Sequence, residues 1–180
     1  MANYKVDINS IVELEDAQQM INKAESIRDK FLIAILYITG ARPIELTMLT
    51  SEHIQEEESN LIIKLFTAKL GRSKGFTPDE RELEIKPSTP FFKILNEYYQ
   101  LYKKWPNQPM LSISVRRMEQ IIGELSDHKF CPYNFRHSRM TKLSRAGASI
   151  DQLMYWKGAK DTRSVSPYLR SKRVVFDRIE

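Results

Sequence analysis

The sequence predicts a mainly α fold with a small antiparallel β-sheet (α+β), and three observations carry that expectation. Apolar residues recur at helical spacing, between cap and stop signals, over most of the chain. One segment, Leu61 to Thr67, alternates instead, and it has a short partner at Arg81 to Ile85. The chain has 180 residues, room for one domain, and 42% of them are apolar, enough for a packed core.

Glu13 to Arg28 is expected as an amphipathic helix. Leu14, Ala17, Ile21 and Ala24 share a face, and Ser10 to Glu13 has capping-box spacing. Asp29 to Thr39 follows as an apolar helix that Gly40 ends. Its run Phe31 to Ile38 is the longest apolar run, far short of the roughly 18 residues of a membrane span. Pro43 suits the first turn of a short helix, Pro43 to Leu49. Glu56 to Asn60 is a turn, and Lys69 to Glu80 is a polar loop with two glycines and a proline. Pro90 to Lys104 is expected as a helix with aromatic anchors. Ser114 to Leu125 is another, with Ser114 as N-cap. Asn134 to Ala146 is a basic helix stopped by Gly147, and Ile150 to Lys157 a short one stopped by Gly158. Neither an internal repeat nor a low-complexity segment interrupts this order.

Charge is segregated along the chain. From Lys129 to Glu180 there are 12 Lys/Arg against 4 Asp/Glu, a net of +8; residues 1–128 carry 16 against 19, a net of −3. A basic C-terminal third on a nearly neutral body is the footprint of a surface that meets a polyanion. No secretory signal opens the sequence. The single cysteine, Cys131, excludes an internal disulfide, fits a reducing cytoplasm, and is expected as a small buried apolar residue.

The informative residues lie far apart. Tyr168 stands in Ser-Pro-Tyr-Leu-Arg, 32 residues after Arg136 in Tyr133-Asn134-Phe135-Arg136, and a second arginine, Arg42, stands in Thr39-Gly40-Ala41-Arg42-Pro43-Ile44-Glu45-Leu46. These are parts for cutting a DNA phosphodiester without a metal. A phenol, with a pKa of about 10, loses its proton more easily than an aliphatic alcohol and can act as the nucleophile. Arginine offers a planar fork to two phosphate oxygens and does not deprotonate. Glu45 lies one turn after Arg42, within reach of its guanidinium. His53, His128 and His137 are scattered, and there is no phosphate-binding glycine loop, so neither metal nor cofactor is expected.

These segments resemble the tyrosine recombinases of the phage-integrase family, from about Ser10 to Leu169. Thr39-Gly40-Ala41-Arg42 with Glu45 is similar to the family's first box. Tyr133-Asn134-Phe135-Arg136-His137 is similar to its second, His-x-x-Arg-His, with tyrosine for the leading histidine. That Tyr-x-x-Arg form resembles a subset of archaeal plasmid and virus integrases. The family also places Gly-His or Gly-Trp before the tyrosine, and here Gly158-Ala159 stands at that spacing. Alanine cannot bond a phosphate oxygen. Lys157, Lys160 and Trp156 are the neighbours that could take the task instead.

The resemblance implies a tyrosine recombinase catalytic-domain fold over residues 1–180, without the N-terminal core-binding domain usual in the family. It implies a site-specific recombinase or integrase with Tyr168 as nucleophile, Arg42 and Arg136 on the phosphate, and Tyr133 orienting it. Glu45 and His137 would be supports. Lys69, with Lys74 in reserve, would be the loop lysine that protonates the leaving oxygen. The implied partners are double-stranded DNA and a homotetramer on that DNA, with no membrane and no small-molecule substrate. The implied location is the cytoplasm, at the nucleoid or in a viral host. The tail residues Val174, Val175 and Phe176 would anchor on a neighbouring subunit or close the domain's own core. Two other readings share the residues: a type IB topoisomerase-like enzyme, and a DNA-binding protein whose catalytic apparatus has decayed.

Overall fold

One helix is deeply buried because, past its first turn, its sequence offers no polar face. In Ile27–Thr39 (α2), every residue from Phe31 to Leu36 is fully buried, and Ile38 nearly so. Each such large side chain removed from water contributes about 1.5–3 kcal/mol. The computed structural model describes residues 7, 9–66, 80–159 and 161–169, and these hold the other helices and strands. They are α1 (Leu14–Lys23), α3 (Pro43–Thr47), β1 (Ile54–Glu57), β2 (Asn60–Phe66), β3 (Glu80–Ile85), α4 (Phe92–Tyr102), α5 (Val115–Leu125), α6 (Pro132–Arg145), α7 (Ile150–Lys157) and α8 (Ser166–Leu169). The expected mainly α architecture with a small antiparallel sheet is the one observed.

Several boundaries differ from expectation, each for a local reason. The helix expected over Glu13 to Arg28 is two pieces. Ser26 takes extended backbone and its hydroxyl accepts from the Asp29 amide at 3.1 Å, so α2 starts at Ile27. Nor does Ser10 cap α1; the Glu13 amide donates to the Asp16 carboxylate at 2.9 Å. Helix α3 stops at Thr47, short of Leu49, and α4 is trimmed to Phe92–Tyr102. Helix α6 begins two residues early because Pro132 fits its first turn. Cys131 is half-buried at its N-cap rather than in the core. Ser114 caps α5 as expected, accepting from the Arg117 amide at 3.2 Å, and α7 has its expected span.

The sheet has three strands among the described residues, in the order β1-β2-β3, all antiparallel. Strand β1 is an addition to the expected pair. It absorbs Glu56 and Glu57, and narrows the expected turn to Glu58–Ser59. Leu61, Ile63 and Leu65 pair with Ile85, Leu83 and Arg81, so all six share the core-facing phase. Arg81 is therefore a charged residue in an apolar register.

The core has two parts. The larger surrounds α2; the smaller holds Met140, Leu153, Val165 and Tyr168 between α6, α7 and α8, and Trp156 packs on both. The segment before α1 is tied to α6 by buried and half-buried polar bonds. The Val12 amide donates to Ser138 Oγ at 2.7 Å, and Asn134 Nδ2 donates to the Asp7 and Ser10 carbonyls. No helix among the described residues is long and apolar enough to cross a membrane.

Candidate active site

The stop of α2 places the site. Gly40 adopts φ 60, which turns the chain sharply after Thr39 and starts α3 with Arg42 as its N-cap. A Cβ at Gly40 would lie 2.9 Å from Arg139 Cβ, so glycine also lets α6 approach the turn. That approach brings Arg136 to Arg42. Arg136 is 6% exposed, and its guanidinium donates to the Gly40 carbonyl at 2.9 Å and to the Lys157 carbonyl. Two helix ends, those of α2 and α7, thus hold one side chain.

Glu45 is the hub beneath. Its carboxylate accepts from the Arg42 guanidinium and the Arg42 amide, each at 2.9 Å. From the opposite side Arg81 donates to the same two oxygens, at 2.7 and 3.2 Å. Burial alone would raise the Glu45 pKa, but the Arg81 hydrogen bonds and charge, with the Arg42 amide and the Arg136 charge, hold it below its usual value. Arg136 moves the other way. Burial and the adjacent Arg42 cation pull it down to about 10, against support from Glu45.

Arg42, Tyr133, Arg136 and Lys157 line one cleft of about 610 Å³. Tyr133 is half exposed on the first turn of α6. Tyr168 does not line the cleft. It is 5% exposed and packed in the smaller core, its carbonyl accepting from Ser144 Oγ at 2.7 Å. Lys157 Nζ stands 5.0 Å from the Tyr168 ring centre, and the His137 ring 5.5 Å away. His137 in turn stacks on Tyr133 with centres 6.4 Å apart. Burial, and then the neighbouring Tyr133, push the Tyr168 hydroxyl up to about 12, and Arg136 only partly counters this. Burial lowers the His137 pKa, Asp7 opposing and Lys157 adding to it.

Of the neighbours expected to stand in for a donor at Ala159, two are described. Trp156 gives its Nε1–H to the Thr39 carbonyl at 2.8 Å and lies under the Arg139 guanidinium. Its donor is spent on the fold. Lys157 lines the cleft. Gly158, at φ 61, stops α7, and the Ala159 amide donates back to the Met154 carbonyl at 2.9 Å. Lys69, Lys74, Lys160 and the tail residues Val174, Val175 and Phe176 lie outside the described residues.

Arg81 went unnoticed in the sequence. The available signal was phase: in Arg81-Glu82-Leu83-Glu84-Ile85 the arginine sits where the alternation asks for an apolar residue. A charge there needs a buried partner. Among the described residues no group of three or more His, Cys, Asp or Glu is placed to hold a metal ion.

Comparison with known proteins follows the same lines. The model described as the Phage integrase family matches residues 7–173. No curated protein matches the chain. Among solved structures, the XerH site-specific recombinase bound to its difH substrate, in a pre-cleavage complex, is 18% identical with a TM-score of 0.67; the match covers 91% of this chain and 50% of that one. The XerA recombinase is 19% identical with a TM-score of 0.66, covering 89% and 58%. The Tn1549 transposon integrase, in complex with transposon right-end DNA, is 14% identical with a TM-score of 0.58, covering 96% and 64%. The chain thus spans between half and two thirds of each of these proteins. At such identities the likeness establishes the fold.

Proposed function

The chain belongs to the phage integrase family, and on that footing we propose that it is a site-specific recombinase acting on double-stranded DNA through a 3′-phosphotyrosyl intermediate. The observation that carries this reading is the meeting of Arg42 and Arg136 at one cleft, with the Tyr168 ring packed against the cleft residue Lys157.

In this reading Arg42 and Arg136 bracket the scissile phosphate, and charge developing on its oxygens meets donors already fixed by Glu45 and by two backbone carbonyls. The Tyr168 oxygen attacks phosphorus. The Tyr168–phosphorus bond forms as the bond to the 5′ oxygen breaks. The phenol proton leaves to water, and Lys69 protonates the 5′ oxygen. Tyr133 orients the phosphate from the rim of the cleft. Rejoining runs the steps backward, with the 5′ hydroxyl of another strand as attacker and Tyr168 as leaving group. Exchange proceeds through a Holliday junction in a DNA-bound homotetramer. The basic C-terminal third supplies the DNA-facing charge, so binding weakens steeply with salt.

The test is a nicked suicide DNA carrying the element's own attachment sequence, resolved on a denaturing gel. The wild-type chain forms a covalent adduct linked through Tyr168. Tyr168→Phe forms none yet binds the DNA with unchanged affinity. An adduct that persists in Tyr168→Phe overturns the reading. Relaxation of plasmid without sequence preference would assign the chemistry to a type IB topoisomerase-like enzyme instead.

A further inference from the structure

We propose that Lys157 is the third cation on the scissile phosphate, beside Arg42 and Arg136. The proposal rests on the recombinase reading above and adds a residue to it. Lys157 is the last residue of α7, and its own carbonyl accepts from the Arg136 guanidinium. Its backbone is therefore fixed to one of the two phosphate arginines. Lys157 lines the cleft with Arg42 and Arg136, and its Nζ stands 5.0 Å from the centre of the Tyr168 ring. A phosphate held by both arginines and within reach of Tyr168 would lie beside this ammonium.

Charge balance at the cleft points the same way. Arg42, Arg81 and Arg136 gather around one buried carboxylate, Glu45, which Arg42 and Arg81 already occupy, and Lys157 adds a further cation beside Arg136 and Arg42. The carboxylate in the cleft's lining, Glu119 on α5, is exposed and makes no ion pair among the described residues. Among the described residues Lys157 itself donates to a neutral partner, the Ser164 carbonyl. Burial, followed by the Arg136 and Arg42 charges, lowers its pKa to about 8. An anion in the cleft reverses that: it relieves the repulsion among the cations and restores the ammonium. Lys157 keeps its proton throughout the step. It contributes charge and a hydrogen bond to a non-bridging oxygen.

Three chains decide this on the nicked suicide substrate: wild type, Lys157→Met and Lys157→Arg. Adduct rate, DNA affinity by fluorescence anisotropy, and melting temperature are read for each. Lys157→Met is expected to lose adduct rate about 100-fold, the worth of one preorganised donor on a developing oxyanion, while DNA affinity falls only by the few-fold of one lost phosphate contact and melting temperature is held. Lys157→Arg, which keeps the charge, is expected to recover most of that loss. A Lys157→Met rate within threefold of wild type overturns the proposal. So does an equal loss in both variants, because charge would then not be what matters. Absence of an adduct from the wild type would instead sink the recombinase reading itself.

Discussion

Arg81 and Glu45 form a two-point ion pair inside the fold, at 2.7 and 3.2 Å, with Arg81 2% exposed. The pair joins strand β3 to helix α3 and puts the Glu45 carboxylate where Arg42 also needs it. Removing one partner from a buried pair costs about 3–5 kcal/mol, because the other charge is left without compensation. Arg81→Met should fall near the lower end, since Arg42 still serves Glu45. The double variant Arg81→Met, Glu45→Gln should recover part of the loss. Denaturant unfolding of the four proteins in the cycle checks this, and strict additivity would show that the two residues do not act as a unit.

Acid should expose the same pair. The folded Glu45 pKa lies below its usual value near 4.5: burial is the largest single effect and raises it, but the Arg81 hydrogen bonds and charge, the Arg42 amide and the Arg136 charge together outweigh burial. A depressed carboxylate contributes stability that is complete above the unfolded value and is lost as pH falls through the folded one. Stability should therefore decline below about pH 4.5, and the decline should be shallower in Glu45→Gln. Asp16 is lowered too and contributes in the same direction. The readout is the unfolding free energy at a series of pH values, wild type against Glu45→Gln.

Gly40→Ala should destabilise the fold and weaken the site together. A left-handed conformation costs a non-glycine residue about 1–2 kcal/mol, and here the new Cβ also meets Arg139 at 2.9 Å. Gly147→Ala is the control, with φ 96 but no atom within 4 Å of its Cβ. Thermal unfolding should show the larger drop for Gly40→Ala. An equal drop would mean that the approach of α6 to the turn is not tight.

Lys157 should be the readier amine at mild pH. Its pKa near 8 leaves much of it unprotonated there, whereas the Glu56 hydrogen bond raises that of Lys103 above its usual value. At pH 8 an amine-reactive ester should modify Lys157 about tenfold or more faster than Lys103, as peptide mass mapping would show. Adding the DNA substrate should slow that reaction. Equal rates for the two lysines would contradict the depressed value.

Helices with written ends were legible in the sequence: a stop at Gly40 after α2, a start at Ser114 before α5, a stop at Gly158 after α7. The break at Ser26 was not, because the helical apolar phase runs on through Ala24 and Ile27. Strand β1 has one buried residue, Ile54, followed by three exposed polar ones, so alternation had nothing to register. Arg42 and Arg136, which meet at one cleft, stand in short motifs that mark them in the sequence. Their commitments were not legible there, since those partners are distant in sequence. Trp156 gives its only donor to Thr39, and Arg81 belongs to Glu45. The burial of Tyr168 in the smaller core is likewise a property of how α6, α7 and α8 meet.

Arg136 is held by the carbonyls of residues 40 and 157. Every amino acid carries that oxygen, so no exchange of side chain can delete either anchor. The seat of this arginine is written in the path of the chain rather than in its lettering, and sequences can drift widely while inheriting it intact. Glu45 has no such insurance: its grip on Arg42 is lost with a single codon.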